Sequence, residues 1–363
     1  MTVSAVTDGA VVRFLHPGMP KAASTWLQNV FFAGHPQLAV LGPETREPDL
    51  VQRFLPLIAR LCFGSDLQDT APIGAGLAAL VRELAARRPA ARLAGFSHEG
   101  LLGEWPTPRN GGFLATTLAA RFPGAKVLLV VREQRSALVS AWREYVRMGG
   151  TLSFPRFLWD PAGGGAPLAH PFETAVLGCV LHAPVVRAWQ AAFGRTSVRV
   201  MAMEHLQRDP HGFARELCAF LGVDEWQPPP QQANAQLSEP ALALLRLANH
   251  LFHTRQHVRY GWKPVARLLQ WCGAGGGDVD PLRQNAYYDR MRIGDVAQRW
   301  LAKRWLPRLD RLGLAALGGR VDRFARLPEA GRRHLEARFA ADSRALRELV
   351  DWDPAAFGYL VEG

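Results

Sequence analysis

The stretch VVRFLHPGMPKAASTWLQNVFF, residues 11–32, lays out a strand, a loop and a helix in one line. Val11–His16 is a short apolar run that stops at Pro17 and Gly18, the punctuation of a strand entering a loop. From Ser24 to Phe32 the pattern is helical, with polar residues at its start. Between them stand a glycine, one lysine (Lys21) and two hydroxyls (Ser24 and Thr25). Free backbone N–H groups and the helix dipole favour an anion at such a junction. The pattern GxxxxGK[ST] is not met, because Lys21 precedes the hydroxyls by three and four residues. The plainer alternative is an ordinary strand-to-helix loop capped by Ser24. Residue usage weighs against it: of 43 basic side chains only four are lysine (Lys21, Lys126, Lys263 and Lys303), so Lys21 departs from the habit of the chain.

Working outward, Lys126–Val131 (KVLLVV) is a continuous apolar run of the kind buried on both faces of a parallel sheet. Arg92–Ser97 and Ser197–Met203 read as two further strands. Helical patterns cover about 74–88, 112–121, 136–148, 173–193 and 210–221. Alternation of strand and helix predicts an α/β fold with a parallel sheet flanked by helices. Gly- and Pro-rich stretches at 160–170, 227–236 and 273–277 predict loops, while 241–272 and 295–350 read as helical. The expected organisation is one α/β domain over 1–363, carrying a basic helical insertion or lid at 246–327.

The 363 residues are 48% hydrophobic and 21% charged, which excludes a disordered or fibrous chain. No apolar run is long enough to span a bilayer. The N-terminal residues lack a charged start and a long apolar core, so no secretory leader is expected and the cytoplasm is the expected compartment. Four cysteines without CxxC spacing argue against both a zinc site and a disulfide framework. The net charge of +11 equals the excess of the 246–333 segment alone. That concentration points to an anionic partner such as phosphate, acidic glycan or lipid headgroups. Within 246–333, tryptophans beside Lys303, Arg304, Arg308 and Arg311 fit either helices packed on a core or peripheral contact with the inner membrane face.

The strand Lys126–Val131 ends in Arg132, and Ser140 follows eight residues later on the next helix. An arginine at the C-terminal edge of a strand faces the crevice where open α/β sheets bind ligands. It could equally pair with a neighbour such as Glu133. Together these motifs resemble the sulfotransferases that use 3′-phosphoadenosine-5′-phosphosulfate (PAPS), in particular the bacterial and Golgi-type carbohydrate enzymes. PKAASTWL (20–27) resembles their 5′-phosphosulfate loop, and VREQRSALVSAWREY (131–145) their 3′-phosphate motif, R-x₇-S. HLQRDPHGFARELCAFLGV (205–223), with Glu204 ahead of it, and LEARFAADSRALRELVDWD (335–353) are similar to later parts of that family. The likeness covers 11–225 and 328–355, and departs at Ala23, where the family usually has glycine.

The resemblance implies a P-loop-like sheet and in-line transfer of a sulfuryl group to a hydroxyl of a carbohydrate or glycoconjugate. Such a transfer depends on positioning and charge stabilisation, and the resemblance implies no metal. Lys21 would neutralise the leaving oxygen. Ser24, Thr25 and the backbone of Ala22, Ala23 and Trp26 would hold the 5′-phosphate, and Arg132 with Ser140 the 3′-phosphate. A general base must take the acceptor proton. Glu47 sits where heparan-type enzymes carry a glutamate, His98 where cytosolic ones carry a histidine, and Glu44 is a further candidate; by default all three are structural or solvated side chains. Two other classes compete. A P-loop kinase needs a Mg²⁺-binding aspartate at the end of KVLLVV, where Arg132 stands. A non-catalytic nucleic-acid binder could use the basic segment, but no recognition motif accompanies it and no nucleic-acid partner is expected.

Overall fold

The computed structural model describes residues 11–19, 21–62, 68–102, 111–158, 180–229, 237–250, 300–318 and 321–362. Five strands form one fully parallel sheet in the order β2-β3-β1-β4-β5. They are β1 (Phe14–His16), β2 (Leu38–Leu41), β3 (Leu93–Ser97), β4 (Lys126–Val131) and β5 (Val198–Ala202). Helices connect successive strands, so the chain is an α/β protein with a helix-flanked parallel sheet, as the alternating pattern predicts. Val127–Val131 of β4 are all buried, which is why that run carries no polar residue. At Gly95 of β3 the neighbouring strand leaves no room for a side chain: a Cβ there would lie 1.9 Å from the Phe14 carbonyl oxygen.

Two elements depart from the sequence expectation. β2 was not expected, because four apolar residues, LAVL, are too few to show a period, yet all four are buried. Helix α2 (Pro48–Cys62) was likewise not expected, since no element was assigned over 48–62; its start follows Glu47, whose carbonyl accepts from the N–H groups of Leu50 and Val51. The remaining helices of the sheet region include α1 (Ser24–Trp26), continued by a π-helical segment Leu27–Phe32, then α3 (Ala71–Ala86), α4 (Gly111–Arg121) and α5 (Gln134–Arg147). The expected helix at 173–193 is described as Ala183–Phe193, and 295–350 is broken into short pieces before the long helix Glu329–Arg347. The loops at 160–170 and 273–277, and most of the basic stretch 246–327, lie outside the described residues.

The described residues fall into two compact units. The first takes those within 1–138, 167–231 and 329–363 and contains the whole sheet. The second takes those within 139–166 and 232–328. Its described part is tied by Glu239, which ion-pairs with both Arg143 and Arg323, and by the Arg323 guanidinium stacked 4.0 Å over the Trp142 ring. Asn249, fully buried, donates its amide to the carbonyls of Val146 and Gly150. No described helix is long and apolar enough to cross a membrane.

Candidate functional site

The strand order sets the site. From β1 the chain turns to β2 and β3 on one side and later crosses to β4 on the other, so the C-terminal end of β1 opens at the reversal point of the sheet. Pro20 lies outside the described residues; the others in the loop after β1 have an unusual backbone. Gly18, Lys21 and Ala23 take φ of 67°, 63° and 64°. Left-handed backbone costs a non-glycine residue about 1–2 kcal/mol, and strain of this kind collects at functional sites. Alternating handedness at Lys21, Ala22 and Ala23 turns successive N–H groups into a concave nest suited to an anion. Helix α1 begins directly behind it, and no side chain caps its N-terminus. Ser24 is 3% exposed, and its Oγ has no hydrogen-bond partner among the described residues. A buried hydroxyl without a partner beside an uncapped helix start fits a phosphate or sulfate oxygen.

β4 delivers the second cation. The Arg132 guanidinium donates from Nη1 to the Lys21 carbonyl at 3.1 Å, so the two sequence-distant motifs meet at adjacent strand ends. The Arg132 carbonyl accepts from Nε2 of His182 at 2.6 Å. His182 is held in turn by Asp342 of the helix Glu329–Arg347: the Asp342 carboxylate accepts from the His182 and Ala183 N–H groups and from Nε2 of Gln134. Glu133 is committed elsewhere, since its carboxylate accepts from Arg135 Nε and from the N–H groups of Arg135 and Ser136 at the start of α5. Glu204 accepts from the Glu133 N–H at 3.0 Å and from the Tyr359 hydroxyl at 3.3 Å. Burial, with Glu204 next to it, pushes the Tyr359 hydroxyl well above its ordinary range, so it stays protonated and donates. Glu204 and Asp342 therefore act as props behind Arg132.

Other expected residues fall as follows. Ala22 is buried under the loop and Thr25 is exposed. Trp26 is half-buried, its ring against Phe31 and Phe213, so only its backbone faces the loop's role. Ser140 lies on α5 within the second unit. Glu47 is turned away: its carboxylate lies 3.4 Å from Arg88, whose other nitrogen donates to the carbonyl of Leu38, the first residue of β2. That places Glu47 towards the starting edge of the sheet, while Lys21 and Arg132 follow the finishing edge. Glu44 is exposed in the turn after β2. His98 follows β3, and its Nδ1 accepts from the Gly100 N–H at 3.0 Å. Burial lowers its pKa to about 4, so the ring is neutral and its proton sits on Nε2, a donor.

Sequence reasoning gave no role to Glu99, whose Cγ lies 3.4 Å from where a Cβ on Gly18 would stand. It also missed a chain under the loop. Gln28 donates from Nε2 to Ser97 Oγ at 2.9 Å, and Ser97 lies 2.7 Å from Nδ1 of His16. Neither contact is visible in sequence, because parallel pairing of β1 with β3 brings together positions 81 residues apart. Among the described residues no group of three or more His, Cys, Asp or Glu side chains is placed to hold a metal ion.

No protein-family model and no curated protein matches the chain. Among solved structures, it is similar to a sulfotransferase from Alicyclobacillus acidocaldarius, with 23% identity and a TM-score of 0.42, over 66% of this chain and 93% of that one. It is also similar to the sulfotransferase domain from the curacin biosynthetic pathway, with 16% identity and a TM-score of 0.35, over 74% of this chain and 99% of that one. At these TM-scores the functional reading rests on this chain's own residues.

Proposed function

We propose that this protein is a PAPS-dependent sulfotransferase acting on a hydroxyl of a carbohydrate or glycoconjugate. The observation that carries the proposal is the junction of the two motifs: the Lys21 nest and Arg132 joined at adjacent strand ends. A nucleotide with phosphates at both the 5′ and 3′ positions needs two cationic seats, and the meeting of Lys21 and Arg132 supports that reading. Lys21 and the N–H groups of the nest and first helical turn hold the 5′ side, with the Ser24 hydroxyl; Arg132 holds the 3′-phosphate. The acceptor oxygen attacks sulfur in line as the bond from sulfur to the 5′-phosphate oxygen breaks. Lys21 stabilises the charge that develops on that leaving oxygen. We assign the acceptor proton to Glu99, whose side chain borders Gly18 of the loop, in place of Glu47, which Arg88 holds near the Leu38 carbonyl at the start of β2, or His98 with its proton on Nε2. The basic excess of 246–333 supports an acidic glycan among such acceptors.

The test is thermal shift with adenosine 3′,5′-bisphosphate, ATP with Mg²⁺ and a DNA duplex side by side. Stabilisation by the bisphosphate without added metal is the expected result; a shift only with ATP and Mg²⁺ points to a kinase, and one only with DNA to a nucleic-acid binder. Lys21→Ala should abolish transfer with the fold intact, and Lys21→Arg should lose most of it, since a planar fork does not replace a compact ammonium. Turnover within about threefold of wild type for Lys21→Ala would end the assignment. Arg132→Ala should weaken the bisphosphate by about 2–4 kcal/mol in calorimetric titration.

A further inference from the structure

His16 ends β1 directly ahead of the anion loop and is completely buried. Its surroundings decide where its proton lies. Ser97 Oγ accepts from Gln28, and no acceptor other than His16 Nδ1 is found for its own hydrogen among the described residues. The arrangement that satisfies all three groups has Ser97 donating to Nδ1, which leaves the imidazole proton on Nε2. That N–H has no hydrogen-bond partner among the described residues, and neither has Ser24 Oγ. The two orphans are neighbours. Ser24 Oγ and His16 Cε1, the carbon bonded to Nε2, lie 2.9 Å and 3.3 Å from one point, the place a Cβ on Gly18 would occupy. Two buried, unsatisfied groups bordering one point suit a shared oxygen between them.

We propose that His16 is a positioning residue of the anion loop: Gln28, Ser97 and His16 form a relay whose final N–H sets the direction of the Ser24 hydroxyl. With the His16 N–H filling the acceptor side of Ser24 across one shared oxygen, the Ser24 proton is left to donate to the anion. A ring kept neutral suits this task, because burial holds the His16 pKa down to about 3 and a fixed dipole responds to no pH change in the working range. Gly18 serves the same arrangement, since any side chain there would press on Ser24 Oγ.

The proposal rests on the sulfotransferase reading for its ligand, and the experiment separates the two. Titrate wild type, His16→Leu, His16→Gln, Ser24→Ala and His16→Leu/Ser24→Ala with adenosine 3′,5′-bisphosphate and, separately, with pyrophosphate. His16→Leu should lose affinity about fivefold, and His16→Gln, which keeps a donor near Nε2, should recover most of it. In the Ser24→Ala background His16→Leu should cost almost nothing, because both act through one hydroxyl. Additive losses, or a His16→Gln no better than His16→Leu, overturn the proposal. Nitrogen-15 NMR of histidine-labelled wild type, assigned by comparison with His16→Gln, should show the His16 proton on Nε2; a proton on Nδ1 also overturns it. This readout needs no ligand and stands even where a leucine variant fails to fold. A wild type that ignores the bisphosphate but binds pyrophosphate ends the sulfotransferase reading, and the coupling of His16 to Ser24 is then decided with pyrophosphate.

Discussion

Asp342→Asn is expected to destabilise the protein out of proportion to the change of one atom. The Asp342 carboxylate is 7% exposed and accepts three hydrogen bonds: from the His182 N–H at 2.9 Å, the Ala183 N–H at 3.0 Å and Gln134 Nε2 at 3.1 Å. Two of these donors open the helix Ala183–Phe193, which has no cap of its own side chain, so a distant carboxylate serves as its cap. In the asparagine variant one oxygen becomes an NH₂ group. Its least costly orientation turns that group to the single donor, Ala183, and leaves the other two on a neutral oxygen. One buried N–H then loses a charge-assisted bond, worth about 1.5–3 kcal/mol, and the helix start loses a negative charge, worth about 0.3–1 kcal/mol. The expected loss is about 2–4 kcal/mol in all. Urea denaturation should show it as a lower midpoint at an unchanged slope. Because His182 also holds the Arg132 carbonyl, affinity for adenosine 3′,5′-bisphosphate should fall in parallel. A midpoint equal to that of wild type would refute the role given to Asp342, and a changed midpoint with unchanged affinity would uncouple the prop from Arg132.

Ala23→Gly should stabilise the protein by about 0.5–1 kcal/mol, since a left-handed backbone is free for glycine and the gain is only partly offset by its greater entropy when unfolded; thermal unfolding checks the sign. Stability should fall with acid through two buried rings. His16 and His98 have folded pKa values lowered to about 3 and about 4, below the ordinary 6.5, so the unfolded chain takes up protons first. Their contribution is complete above about pH 6.5 and is lost as pH falls towards those values, at about 1.4 kcal/mol per pH unit for each ring. His98→Gln should flatten the profile in urea titrations between pH 7 and pH 4.5, and an unchanged slope would contradict the burial of that ring. Glu99→Gln should lower turnover about 10²–10⁴-fold with bisphosphate affinity kept, while Glu47→Gln stays close to wild type; the reverse order in a sulfate-transfer assay would return the base to Glu47.

The sequence by itself determined the class of fold and singled out the loop after β1. Short apolar runs at 11–16 and 126–131 and the helical pattern between them are local signals, and a lone lysine among arginines drew attention to Lys21. Arg132 was legible for the same reason, standing at the end of an uninterrupted apolar strand. What the sequence did not carry is where side chains turn. Glu47 and Glu99 both sit near loops that follow strands, yet Arg88 draws Glu47 towards the start of β2 while Glu99 comes to lie beside Gly18. β2 was missed because four buried residues are too short for a period to appear. His16, Ser97 and Gln28, and likewise Arg132, His182 and Asp342, become neighbours only when parallel strands and the C-terminal helix dock. Local pattern is set by residues a few positions apart. Tertiary structure decides the site because its hydrogen bonds join residues many tens of positions apart, and each buried donor or acceptor takes whatever partner the packing brings to it.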